Sequence, residues 1–108
     1  MVDDVVRAFL LAAESAPRPQ VAGRVFNLGG APPASLLDLA ERLIAANGGK
    51  GGYAVKEFPA DRAPIDIGSY HADDRAFRAA TGWAPLVGLD EGLRLTLDWY
   101  RTRLADYV

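Results

Sequence analysis

Between Val2 and Ser15 the apolar side chains Val2, Val5, Val6, Phe9, Leu10 and Ala13 recur at the spacing of one helix face. Asp3 and Asp4 lie in the first turn, where carboxylates complement the positive end of the helix dipole. The pattern predicts a helix over 2–15, stopped by Pro17 and Pro19. It opens on the first residue with no cap or lead-in strand, which leads us to expect further chain upstream.

Arg24 to Leu28 is short, β-rich and apolar, and it ends in Gly29-Gly30; it predicts a strand buried on both faces. After Pro32-Pro33, Ser35 predicts a helix cap, with Asp38 as a weak stand-in for the glutamate of a capping box. Leu36, Leu39, Ala40, Leu43 and Ile44 form the apolar stripe of that helix, and Asn47-Gly48-Gly49 ends it. Tyr53 to Phe58 alternates as a second strand, which completes a βαβ order with a right-handed crossover if both strands share a sheet. Pro59 to Tyr70 carries little secondary-structure signal. Asp73 predicts the cap of a short helix through Thr81, closed by Gly82, and Trp83-Ala84-Pro85 predicts a turn. A last helix is expected from about Leu89 to Asp106, with Asp90 and Glu91 at its front and Arg101 and Arg103 near its end.

Composition narrows the classes. A chain of 108 residues holds one domain, and 50% apolar residues suffice for a core. A net charge of −2 without a polybasic run gives no electrostatic reason to bind nucleic acid or an anionic membrane. The absence of cysteine excludes disulfides, thiolate nucleophiles and cysteine metal sites. With no signal-peptide pattern at the start and no apolar run of membrane-spanning length, a cytoplasmic protein is expected.

Few motifs carry chemistry. Gly49-Lys50-Gly51-Gly52-Tyr53-Ala54 matches the dinucleotide fingerprint in letters, but a helix precedes it and a strand is expected after it, the reverse of the required order. It reads as a turn. Tyr53 and Lys56 are three apart in a predicted strand, so they point to opposite faces and make no catalytic pair. His71, the single histidine, has no cysteine partners for zinc and no nucleophile elbow, and reads as a surface or hydrogen-bonding residue. Arg62 and Asp66 sit in a polar loop after the second strand. An arginine there suits a diphosphate, with a carboxylate orienting it or a ribose hydroxyl; a plain surface ion pair is the simpler reading. Trp83, and Trp99 with Tyr100, are expected in the core.

In order, these pieces resemble the carboxy-terminal part of the extended short-chain dehydrogenase/reductases, the NAD-dependent nucleotide-sugar epimerases and dehydratases such as UDP-glucose 4-epimerase. Val2-Asp3-Asp4-Val5 is similar to that family's helix start, and Phe26-Asn27-Leu28-Gly29 to its aromatic-Asn-aliphatic-Gly strand. Ser35 to Leu39 resembles the helix that follows. Asp66-Ile67-Gly68-Ser69-Tyr70-His71-Ala72-Asp73 is similar to its "D-I-…-Y-A-D" segment, Thr81-Gly82-Trp83-Ala84-Pro85 to its "G-W-x-P" connection, and Leu89-Asp90-Glu91-Gly92-Leu93 to its final helix start.

The resemblance implies an α/β fragment with about four helices and two to three short strands: the last strand of a Rossmann-type sheet plus the small substrate-binding lobe. Residues 1–30 are expected to pack on a cofactor domain outside this sequence, and 31–108 to form the substrate lobe and final helix. It further implies a nucleotide-sugar partner, NAD in the parent enzyme but no cofactor site in this chain, and a cofactor-binding domain in cis or trans. In the parent, hydride passes from a sugar carbon to NAD and is returned or followed by elimination. The family's glycine loop and tyrosine–lysine pair lie upstream of the matching region, so this chain is expected to lack catalysis of its own. Carried over by position, Arg62 and Asp66 match the arginine and aspartate that hold the nucleotide end; the arginine stands four residues before the aspartate, where the family often has three. Asp4 matches a structural aspartate. The alternative function is a stand-alone nucleotide-sugar-binding or assembly module.

Overall fold

A computed structural model describes residues 1–30, 32–66 and 68–107. Four helices follow the predicted order: α1 (Val2–Ser15), α2 (Leu36–Ala46), α3 (Arg75–Thr81) and α4 (Leu89–Arg101). Short 3-10 turns occupy Ala63–Ile65 and Leu104–Asp106, so the last helix ends earlier than its periodicity predicts. Among the described residues, no helix is long and apolar enough to cross a membrane.

The expected strands are absent. Among the described residues there is no β-strand, which overturns the reading as an α/β chain with the last strand of a Rossmann-type sheet. Val25 to Leu28 and Tyr53 to Phe58 have the composition of strands, but a strand exists only where its N–H and C=O groups enter a ladder. No backbone hydrogen bond joins either segment to another described segment. Val25 is 96% exposed rather than buried on both sides. With no sheet, the handed crossover has no counterpart.

Two helix pairs carry the packing: α1 against α3, and α2 against α4. The first pair holds the core. Ala8, Phe77 and Trp83 are buried, and Leu11, Ala12, Phe26 and Leu28 pack around them. The Phe77 ring lies between those of Phe26 and Trp83, at centroid distances of 5.5 and 5.8 Å. These tilted contacts are the geometry aromatic quadrupoles favour. Gly29 passes so close to the next segment that a Cβ there would stand 2.7 Å from the Ala72 carbonyl oxygen. Position 29 therefore requires the residue without a side chain.

α1 is tied to the connection before α4 by one carboxylate. Asp4 is 4% exposed, and its oxygens accept from the backbone N–H groups of Leu86 (2.8 Å) and Val87 (3.3 Å) and from Arg7 (3.3 Å). The Asp4 carbonyl accepts from the Trp83 indole N–H at 3.0 Å. Arg7 also reaches the Ala84 carbonyl at 3.4 Å. One turn of helix thus satisfies the polar groups of a connection that forms no helix or ladder, as burial demands.

In the second pair, Ser35 and Asp38 form a complete reciprocal capping box at the start of α2. Arg42 on α2 bonds both carboxylate oxygens of Asp90 on α4, at 2.7 and 2.9 Å. Trp99 and Tyr100, expected in the core, are instead 42% and 43% exposed. They stack edge-on with each other and with Tyr107 near the end of the chain.

The architecture is open. Its accessible surface is 8540 Å², against roughly 5,800 Å² for a compact monomer of this mass. The radius of gyration is 17.8 Å, against about 13 Å for a compact chain of this length. Much of the excess is apolar: Val2, Val6, Phe9 and Leu10 face outward along α1.

Two predictions follow from this packing. In urea unfolding, Trp83→Ala should cost about 3–5 kcal/mol and Gly29→Ala about 1–3 kcal/mol, while the exposed Val25→Ala should stay within about 0.5 kcal/mol of the parent. A Trp83→Ala chain as stable as Val25→Ala would contradict this core. The second concerns acid. The Leu86 N–H, followed by that of Val87, holds the Asp4 carboxyl below its ordinary value of 3.8 against the opposing effect of burial. Because the folded value is the lower one, the stabilisation is present above the ordinary value and is lost as pH falls through the folded value. The slope of unfolding midpoint against pH below about 4 should flatten in Asp4→Asn; an unchanged slope would remove Asp4 as its source.

Candidate functional site

The residues expected to touch a ligand lie on the most exposed stretch of the chain. Every described residue from Gly48 to His71 is exposed. Arg62 immediately precedes the 3-10 turn Ala63–Ile65, with Pro64 inside it, and Asp66 immediately follows. The turn brings the two positions onto one short loop without pairing them. The Arg62 backbone N–H donates to the Pro59 carbonyl at 3.0 Å and its carbonyl accepts from the Ile65 N–H at 3.1 Å, but among the described residues no ion pair or hydrogen bond joins the Arg62 side chain to Asp66. Asp66 spends one carboxylate oxygen on the Gly68 N–H at 3.2 Å. Gly68 has φ +64°, a left-handed conformation that glycine adopts without strain. Ile67, quoted within the resembling segment, lies outside the described residues.

Beyond this turn, Gly68, Ser69, Tyr70 and His71 face the entry of α2 at Pro33–Leu36 across a groove of about 540 Å³. Arg62 and Asp66 do not line it. The sequence pattern gives Ser69 and Tyr70 no separate role, although the resembling segment contains both. Only a tertiary contact reveals that the segment lies against the start of α2. The α2 terminus is already satisfied by its own residues: Asp38 N–H donates to the Ser35 hydroxyl at 3.0 Å, which in turn donates to the Asp38 carboxylate at 2.8 Å. This hydrogen bonding holds the Asp38 carboxyl below its usual range.

Downstream, two aspartates anchor the start of α3. Asp73 accepts the Arg75 N–H at 3.0 Å and grips its guanidinium at 2.6–3.0 Å, which lowers its pKa to about 2. Asp74 occupies the cap position where Asp73 was expected, and binds Arg78 two-pronged at 2.8 and 2.7 Å. Both carboxylates are thereby committed to arginines. His71 is exposed on the groove, in agreement with its reading as a surface residue.

The remaining motifs fit no chemistry. The Tyr53 hydroxyl donates to Glu41 at 3.1 Å, a bond that raises the phenol's pKa, the opposite of what a catalytic tyrosine needs. Gly49 to Ala54 leaves α2 and leads into an exposed segment, with no helix start behind it to meet a pyrophosphate. These residues do not fit a dinucleotide. Among the described residues, no group of three or more His, Cys, Asp or Glu side chains is arranged to hold a metal ion.

In sequence, the chain is similar to part of two dTDP-glucose 4,6-dehydratases. It is 34% identical over 84 residues to the dTDP-glucose 4,6-dehydratase of Streptomyces niveus, covering 78% of this chain and 24% of that protein. It is 35% identical over 99 residues to the dTDP-glucose 4,6-dehydratase of Streptomyces griseus, covering 92% of this chain and 28% of that protein. The chain spans about a quarter of the length of the curated relatives it matches. No family model matches it, and no solved structure gives a significant match.

Proposed function

We propose that this chain is the nucleotide-sugar-binding portion of a dehydratase- or epimerase-type enzyme, with NAD held by a cofactor-binding part outside these residues, in cis or in trans. The observation that carries the reading is the shape of the similarity: 92% of this chain aligns with only 28% of a dTDP-glucose 4,6-dehydratase. The side chains support a binding rather than a catalytic role. Tyr53 and the carboxylates Asp73 and Asp74 are engaged in bonds that hold them away from proton transfer, whereas Arg62 stands exposed at the start of the Ala63–Ile65 turn.

In this reading Arg62 forks onto the diphosphate and Asp66 orients a sugar or ribose hydroxyl. An arginine on a loop fits that task because its planar fork matches two phosphate oxygens at once. The Gly68 N–H bond preorganises Asp66, which lowers the ordering cost on binding.

Titration calorimetry of the chain with dTDP-glucose tests this. Binding is expected, with Arg62→Ala weakening it about ten-fold or more, the effect of losing a charge-assisted contact of about 1.5–3 kcal/mol. Asp66→Asn should weaken it less. Sugar turnover by the isolated chain, or affinity indifferent to Arg62, would contradict the assignment.

A further inference from the structure

The sequence contains two asparagines, Asn27 before Leu28 and Asn47 before Gly48. An Asn-Gly step is the chemically labile one, because glycine places no side chain in the way of ring closure. Its backbone nitrogen attacks the asparagine Cγ and gives up its proton to water; the new N–Cγ bond expels Nδ2 as ammonia. Water then opens the resulting succinimide at either carbonyl, leaving aspartate or isoaspartate. The balance is one water consumed and one ammonia released.

The folded chain opposes each part of that attack. Asn47 is the C-cap of α2 with φ −86° and ψ 19°, a near-helical twist that turns the Gly48 nitrogen away from the Asn47 side chain. The nucleophile is occupied as well, since the Gly48 N–H donates to the Ala45 carbonyl at 3.0 Å. The electrophile is clamped at both ends. Asn47 Nδ2 donates to the Lys50 carbonyl at 3.0 Å, and Asn47 Oδ1 accepts from Arg101 at 2.9 Å. Arg101 is itself steadied by Asp98 at 2.8 Å, so the clamp spans from α2 to α4.

We infer that Asn47 is a spontaneous deamidation site whose rate is set by the Arg101 strap between α2 and α4. Conversion carries a structural consequence. An aspartate at 47 loses the donor to Lys50 and faces its carbonyl with negative charge. An isoaspartate adds a backbone carbon to the helix cap and breaks the bonds of Asn47, Gly48 and Gly49 to the last α2 carbonyls. The same reaction therefore loosens α2 from α4 once it has occurred. The inference is independent of nucleotide-sugar binding.

The test is peptide mapping by mass spectrometry of the full 108-residue chain aged in mildly alkaline buffer, with Asn27 as the internal slow control. In native buffer, Asn47 should convert roughly ten-fold or more slowly than in urea, a factor equal to an opening cost of only about 1.4 kcal/mol. Arg101→Ala should convert several-fold faster than the parent in native buffer and at the parental rate in urea. Equal native and urea rates for the parent chain would overturn the inference without reference to any variant. So would native conversion of Arg101→Ala at or below the parental rate, since the guanidinium would then be activating the amide rather than restraining it.

Discussion

The buried carboxylate of Asp4 ties the two ends of this chain together. Asp4 lies at the start of α1, yet its oxygens receive the N–H groups of Leu86 and Val87, more than eighty residues later. The carbonyl of the same residue receives the Trp83 indole. These bonds connect the first helix to the segment that launches the last one, across an interval in which no described residue belongs to a sheet. The aromatic core depends on them, because Trp83 can lie against Phe77 only while its N–H has a partner in the buried space.

The two helix pairs differ in how they are held. The α1–α3 pair has a buried apolar centre of Ala8, Phe77 and Trp83, braced by the close approach of Gly29 to Ala72. Among the described residues of the α2–α4 pair only Gly92 is buried, and the pair is crossed by exposed bonds, Arg42 to Asp90 and Arg101 to Asn47. Exposed pairs contribute little each, so the second pair is the more easily opened. The exposed stretch with Arg62 and Asp66 lies between α2 and α3 in chain order. An exposed loop of low local stability beside a firmer core is a common arrangement.

The helices were legible in the sequence because periodicity and caps act locally. Val2 to Ser15 reads as one helix and is one, and the Ser35–Asp38 cap, expected to be weak, closes in both directions. Asp4 was legible as structural, though not its partners, since no local pattern points eighty residues ahead. The strands failed for the complementary reason. Val25 to Leu28 and Tyr53 to Phe58 have β-rich side chains, but pairing is a property of two segments and neither finds the other. Trp99 and Tyr100 were misplaced because aromatic character signals an apolar contact without specifying whether it is covered. At the candidate site the residue types of Arg62 and Asp66 were readable. The groove that Ser69, Tyr70 and His71 form with the α2 entry was not, because it exists only in three dimensions.

The central claim is that the Asp4 carboxylate holds the connection before α4 against α1, and native-state amide hydrogen exchange tests it most directly. Leu86 N–H belongs to no helix or ladder, so its protection reports the bond to Asp4. It should exchange as slowly as the interior amides of α1, around Ala8 and Leu11. Exchange of Leu86 as fast as that of the open stretch around Val55 would show that the clasp does not hold.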